Sequence, residues 1–165
     1  MAETEKENKA QYPFYIQEQY IKDLSFENPN FLLKYSDQTD QPQVNVNVET
    51  GVSKISDNSY EVPLKCSVTA TVNENSLFVL DLVYAGLTFV AQELNQDVLE
   101  TILLVHAPYL LFPFARELVA NLTRYGGYPP LLIEPVNFAA LFVEKKSAEA
   151  QKEVTQKDRE VAQPG

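Results

Sequence analysis

At 165 residues, with 45% hydrophobic and 11% aromatic side chains, the chain can bury one sizeable core, which excludes a disordered linker or tail. Its formal net charge of −10 lies within residues 1–143, because residues 144–165 hold five acids and five bases. An acidic body repels phosphate backbones, so nucleic acid is not an expected partner and a basic protein surface is favoured.

Residues 1–11 read as a flexible lead, polar and without the apolar core of a signal peptide. Residues 12–27 turn strand-like, rich in tyrosine, phenylalanine and isoleucine. Their alternation changes phase between Ile16 and Ile21, which calls for a bulge. Beyond it, Ile21, Asp23, Ser25 and Glu27 fall on one face, and Tyr20, Lys22, Leu24 and Phe26 on the other. Asn28-Pro29-Asn30 ends this strand, and FLLKYSDQTDQP suits a crossover loop. QVNVNV alternates strictly, with Val44, Val46 and Val48 on one side. Glu49-Thr50-Gly51 makes a turn, and a strand over 60–72 sets an apolar face against a polar one. Pro63 falls on that polar face, which implies an edge or a local irregularity. After a turn at Asn73-Glu74-Asn75, SLFVLDLVYAG is apolar on both faces except at Asp81. A strand covered by its own core on one side and by a partner on the other reads this way. Short turns join these strands, so the sheet is antiparallel, and Gly86 marks the change to helix.

The spacing of Val98, Ile102 and Val105 predicts a short helix that stops before Pro108. A second, long helix has Pro113 in its first turn, where the missing amide costs nothing. Leu111, Ala115, Leu118, Leu122 and Tyr125 form its apolar stripe, and Gly126-Gly127 closes it. After Pro129-Pro130, Asn137 caps a shorter carboxyl-terminal helix, with Val136 and Leu141 at staple spacing. Residues 147–165, charged and poor in apolar side chains, read as a flexible tail.

The inventory of reactive groups is thin. His106 is the sole histidine, suited to capping or packing. Cys66 is the sole cysteine, so no internal disulfide forms and a reducing compartment fits. One of each cannot build a His/Cys zinc site, and neither a P-loop, a dinucleotide fingerprint nor a calcium loop is present. No run of 18 apolar residues occurs, so direct membrane insertion is not expected. These observations favour a cytoplasmic binding protein over an enzyme, with no cofactor and no metal.

Four motifs in order carry a resemblance: YIKDLSFENPN, YEVPLKCSVTATV, LFPFARE with Tyr128-Pro129, and PVNFAALF. Together they resemble SecB, the bacterial protein-export chaperone family, over residues 12–142. The resemblance implies an α+β fold: a four-stranded antiparallel sheet, a long helix and a shorter carboxyl-terminal helix, within a chaperone domain at 12–146. It implies ATP-independent holding of unfolded precursor polypeptides, delivery to SecA, and a homotetramer built as a dimer of dimers. Carried onto matching positions, it implies SecA contact at Asp23, Glu27, Val79 and Asp81. Aspartate stands where glutamate is familiar at Asp81, and valine where leucine is familiar at Val79. A client groove is implied at Phe31, Tyr35, Val44, Val46, Val48, Tyr128, Phe138, Leu141 and Phe142. The family's frequent tryptophan before Gln-Pro is replaced by Asp40, before Gln41-Pro42. Phe112, Leu118, Val119 and Leu122 are the candidates for the interface between dimers. The alternative readings are a SecB-like chaperone dedicated to one antitoxin, and a small-molecule enzyme or carrier using the interhelical pocket.

Overall fold

Five antiparallel strands form one sheet among the described residues of the computed structural model, which are 13–36, 40–91 and 93–161. The expected lead at 1–11 and the last four residues of the expected tail lie outside them. The strands are β1 (Phe14–Glu27), β2 (Gln43–Thr50), β3 (Ser53–Ser56), β4 (Ser59–Val72) and β5 (Asn75–Val90). Their order is β1-β5-β4-β2, with β3 also pairing β4. Two helices follow: α1, a helical run from Gln96 to Tyr125, and the shorter α2 (Phe138–Val161).

The strand beyond the expected four has a single cause. Pro63 offers no amide, so the neighbouring strand cannot continue past it. β2 stops at Thr50 opposite Leu64, and β3 starts at Ser53 opposite Glu61. Between them the Gly51 amide donates to the Pro63 carbonyl at 3.1 Å. Pro63 therefore marks an irregularity, while β4 itself is interior. The β4–β5 turn uses Asn73 and Glu74 at φ 48° and 65°, the left-handed pair that matches strand twist in tight hairpins.

β5 does not end at Gly86, as its sequence suggested; it runs to Val90. The glycine instead lets α1 approach, since a Cβ there would lie 2.9 Å from the Leu111 Cδ2. The two helices expected on either side of Pro108 are likewise one. Residues Ile102–His106 take a π turn, in which the Ala107 amide reaches back to the Ile102 carbonyl. This wider turn lies immediately before Pro108, and the helix continues through Pro108 and Pro113. α1 is long and apolar enough to cross a membrane by length and composition. In this fold one side of it lines the core: Leu111, Ala115 and Val119 are fully buried in one cluster with Leu64, Val68 and Leu82 of the sheet.

Gly127 closes α1 at φ 89°, a left-handed cap, and the Tyr128 amide donates to the Thr123 carbonyl at 3.0 Å. Asn137 caps α2 by accepting from the Ala140 amide at 3.0 Å. α2 passes residue 147 without interruption, although its side chains from Val143 to Lys157 are exposed.

Candidate binding groove and sheet face

The segment between the helices is zipped to α1 by two side chains. The buried Thr123 hydroxyl accepts from the Leu131 amide at 2.9 Å, and the Arg116 Nε donates to the Ile133 carbonyl at 2.7 Å. Residues 131–136 thereby face β2 across a groove of about 600 Å³. Val44, Val46 and Val48 form one wall, and Leu131, Leu132, Pro135, Val136 and Leu141 the other. Val44 and Val46 stay 45% and 40% exposed, unusual for valines facing Ala70 and Val68 on the core side of a sheet. The groove is apolar, uncovered, and bounded by the edge strand β2. Of its far wall, Leu141 is a residue the resemblance implied; Leu131, Leu132, Pro135 and Val136 were not among the groove candidates, although the apolar run LLIEPV inside a proline-rich linker was the available signal.

The aromatic candidates gather at the start of the same linker. Tyr128 packs on Phe31 at 5.7 Å and on Phe78 at 4.9 Å between ring centroids, and Phe31 packs edge-on to Tyr35. Lys34 lies 4.6 Å from the Phe31 ring centroid and donates to the Gly127 carbonyl at 2.6 Å. Asn28 ties the loop further, donating to the Gly126 carbonyl at 2.9 Å and accepting from the Tyr128 hydroxyl at 2.7 Å. Burial pushes that hydroxyl's pKa up. Tyr35 remains 70% exposed, whereas Phe31 and Tyr128 are half-buried. This cluster clasps the crossover to the end of α1 and leaves Tyr35 as its open side.

Two groove candidates sit apart from this groove, one by burial and one by direction. Phe138 is fully buried against Tyr109 and Phe112, so it presents no surface to a client. Phe142 lines a separate cleft of about 240 Å³ with Tyr60, Leu99 and Leu103, because neighbouring helix residues point about 100° apart. Two interface candidates sit in the chain's own core. Phe112 is 8% exposed and Val119 is fully buried, while Leu118 and Leu122 are half-buried. The outward side of α1 is Tyr109, Leu110 and Phe114, each over 40% exposed. Phe114 stacks on Tyr84, whose β1 neighbour is the exposed Ile21.

The acidic candidates converge on the other side of the sheet. Register pairs Glu27 with Val79, Ser25 with Asp81, and Asp23 with Val83. Asp81 accepts from the Ser67 hydroxyl at 2.6 Å, while Asp23 and Glu27 are exposed. A bulge between Ile16 and Glu18 lies where the phase change was seen, but a second one follows between Ile21 and Asp23. It turns Ile21 to the core side opposite Tyr84, and brings Tyr20 to the outer side opposite Ala85. There the Tyr20 hydroxyl and Lys22, the latter at 2.5 Å, both donate to Glu61. The Lys22 bond first, and the Tyr20 bond second, hold the Glu61 carboxyl below its ordinary range, while the hydrogen bond it donates to that carboxylate pushes the Tyr20 hydroxyl's pKa up.

His106 is exposed and stacks loosely on Phe14 within the helix, while burial pushes the Cys66 thiol up to about 11. Among the described residues, no group of three or more His, Cys, Asp or Glu side chains could hold a metal ion.

The family profile described as preprotein translocase subunit SecB matches residues 7–149. The chain belongs to the SecB family. That places it among the protein-export chaperones. A "protein-export protein SecB" of Parvibaculum lavamentivorans is 45% identical over 124 residues, covering 75% of this chain and 73% of the relative. Another, of Azorhizobium caulinodans, is 44% identical over 133 residues, covering 81% and 82%. A Mycobacterium tuberculosis SecB-like chaperone, solved with an antitoxin peptide, has the same fold at TM-score 0.62 and 15% identity. That likeness covers 82% of this chain and all of the other.

Proposed function

We propose that this SecB-family chain holds unfolded export precursors in the valine-lined groove without ATP, and passes them to SecA through its acidic sheet face. The carrying observation is that these two surfaces lie on opposite sides of one sheet. Val44, Val46 and Val48 face the core side at one edge, while Asp23, Glu27, Val79 and Asp81 face outward near the other. A client in the groove therefore leaves the acidic face free for the motor. No reaction is catalysed and no cofactor is needed, because holding requires only uncovered apolar area and a charged surround that prevents self-association. The chain acts in the cytoplasm as a dimer of dimers. The uncovered side of α1 around Leu110 and Phe114, continued by Ile21 and Leu24, is the surface that copies cover.

The test is titration of variants with an unfolded precursor and, separately, with the basic carboxyl-terminal tail of SecA, at two salt concentrations. Replacing Val44 and Val46 with Ser is expected to weaken holding alone. Reversing charge at Asp23, Glu27 and Asp81 is expected to abolish tail binding alone. Tail binding should fade with salt, since exposed charges are screened beyond about 8 Å at physiological ionic strength. Equal loss of both activities in either variant would overturn the two-surface reading.

A further inference from the structure

We propose that the outer sheet face carries a second contact for the segment docked on its acids, and that this segment is cationic at one end and strongly apolar at the other. The proposal rests on the reading that a basic segment docks at Asp23, Glu27 and Asp81. Its own basis is the opposite end of β5. There Leu87 pairs with Glu18 on β1 and Glu61 on β4, and Phe89 pairs with Tyr15 and Ser59. The Tyr15 and Phe89 rings lie 5.2 Å apart, and Leu87 and Phe89 are only half-covered. An open face of an antiparallel sheet ordinarily alternates to polar residues, so a half-open leucine beside two tilted rings marks a surface that something covers.

Charge divides this face. Glu61 would extend the acidic patch toward Leu87, but its side chain is only 12% exposed and is taken by Lys22 and Tyr20. Glu18 keeps one exposed carboxylate at the edge. Attraction for a cation is therefore concentrated around Asp23, Glu27 and Asp81, on the β1 side of the exposed Lys65, while the large apolar side chains of this face, Leu87 and Phe89, lie at the other end beyond the smaller Val79 and Val83. From Asp81 to Phe89 is eight residues of one strand, roughly 27 Å. An occupant that uses both ends needs its cationic and apolar parts about eight extended residue steps apart.

A designed peptide tests this on the full-length chain: three lysines, a six-residue Gly-Ser spacer, then Leu-Phe, followed by fluorescence anisotropy at low salt. Replacing Leu-Phe by Ser-Ser is expected to weaken binding to the parent chain roughly tenfold. On a Leu87→Ser/Phe89→Ser variant the two peptides are expected to bind alike. On an Asp23→Lys/Glu27→Lys variant both should weaken severely. Equal binding of the two peptides by the parent chain overturns the second contact while leaving the acidic site standing. If the apolar change matters but the charge reversal does not, the acidic reading fails and the Leu87–Phe89 contact survives. Absence of any binding by the lysine–Leu-Phe peptide overturns both. The peptide arm on the parent chain decides the matter even if the β5 variant folds poorly.

Discussion

β5 has two apolar faces that look alike in sequence and have different fates. Its even-numbered residues from Phe78 to Val90 are buried against α1 and the core, while Val79, Val83, Leu87 and Phe89 on the other side remain half-open. Composition therefore does not distinguish a face that holds the fold from one that awaits a partner. What distinguishes them is which side has a helix to cover it, and α1 covers one side only. The sharpest way to break this comparison is to truncate adjacent residues. Leu82→Ala, on the buried side, is expected to cost about 2–5 kcal/mol, because it removes transfer energy and leaves a cavity. Val83→Ala, next in sequence but outward, should cost under about 1 kcal/mol. Denaturant melts of the two variants check this, and comparable losses would mean that the outer face is structural after all.

The same contrast divides α1. Phe112 and Val119 point into the core, while Leu110 and Phe114 point out of it. Val119→Ala should lower the melting midpoint without changing the assembled mass. Leu110→Glu with Phe114→Glu should lower the mass of the assembly, because charges would be buried unpaired between copies, with a much smaller effect on the isolated fold. Native mass measurement separates the two. An unchanged assembly in the double glutamate variant would remove this side of α1 from the interface.

Much of this was legible in the chain, and the misses share a physical cause. Alternation in QVNVNV and in 60–72 fixed the strand faces, and Asn137 and Gly126-Gly127 bounded the helices. Prolines and glycines were harder, because each has a local and a tertiary meaning. Gly86 reads as a breaker but is a point of close approach to Leu111. Pro108 reads as a stop, yet the helix passes it beyond a π turn. The stripe was legible, and its Leu111 and Ala115 meet the sheet. Unread was that Phe112 and Val119 join them in the core while Leu118 and Leu122 stay half-buried at its margin. Among the site residues, the four outward candidates on β1 and β5 share a face because register follows from alternation. Leu131 and Leu132 escaped notice because a linker without period has no face until Thr123 and Arg116 pin it.

The smallest expected effect concerns the divider on the outer face. Lys22 and Tyr20 hold the Glu61 carboxyl below its ordinary range, so the folded chain prefers this group ionised more than the unfolded chain does. A lowered folded value means that the contribution is fully present above the unfolded value, about 4.3, and is lost as pH falls through the folded one. Lys22 is 48% exposed, so solvent screening limits the contribution to about 1 kcal/mol or less. Glu61→Gln is therefore expected to lower stability slightly at pH 7, with the difference from the parent closing as acid titrates the carboxylate. Urea melts of both chains between pH 7 and pH 3 check the sign. The contrast with Leu82 would then be complete: burial on the inner face outweighs the best-formed ion pair on the outer one. A gap between parent and variant that widens toward acid would show that Glu61 is destabilised, rather than stabilised, by its surroundings.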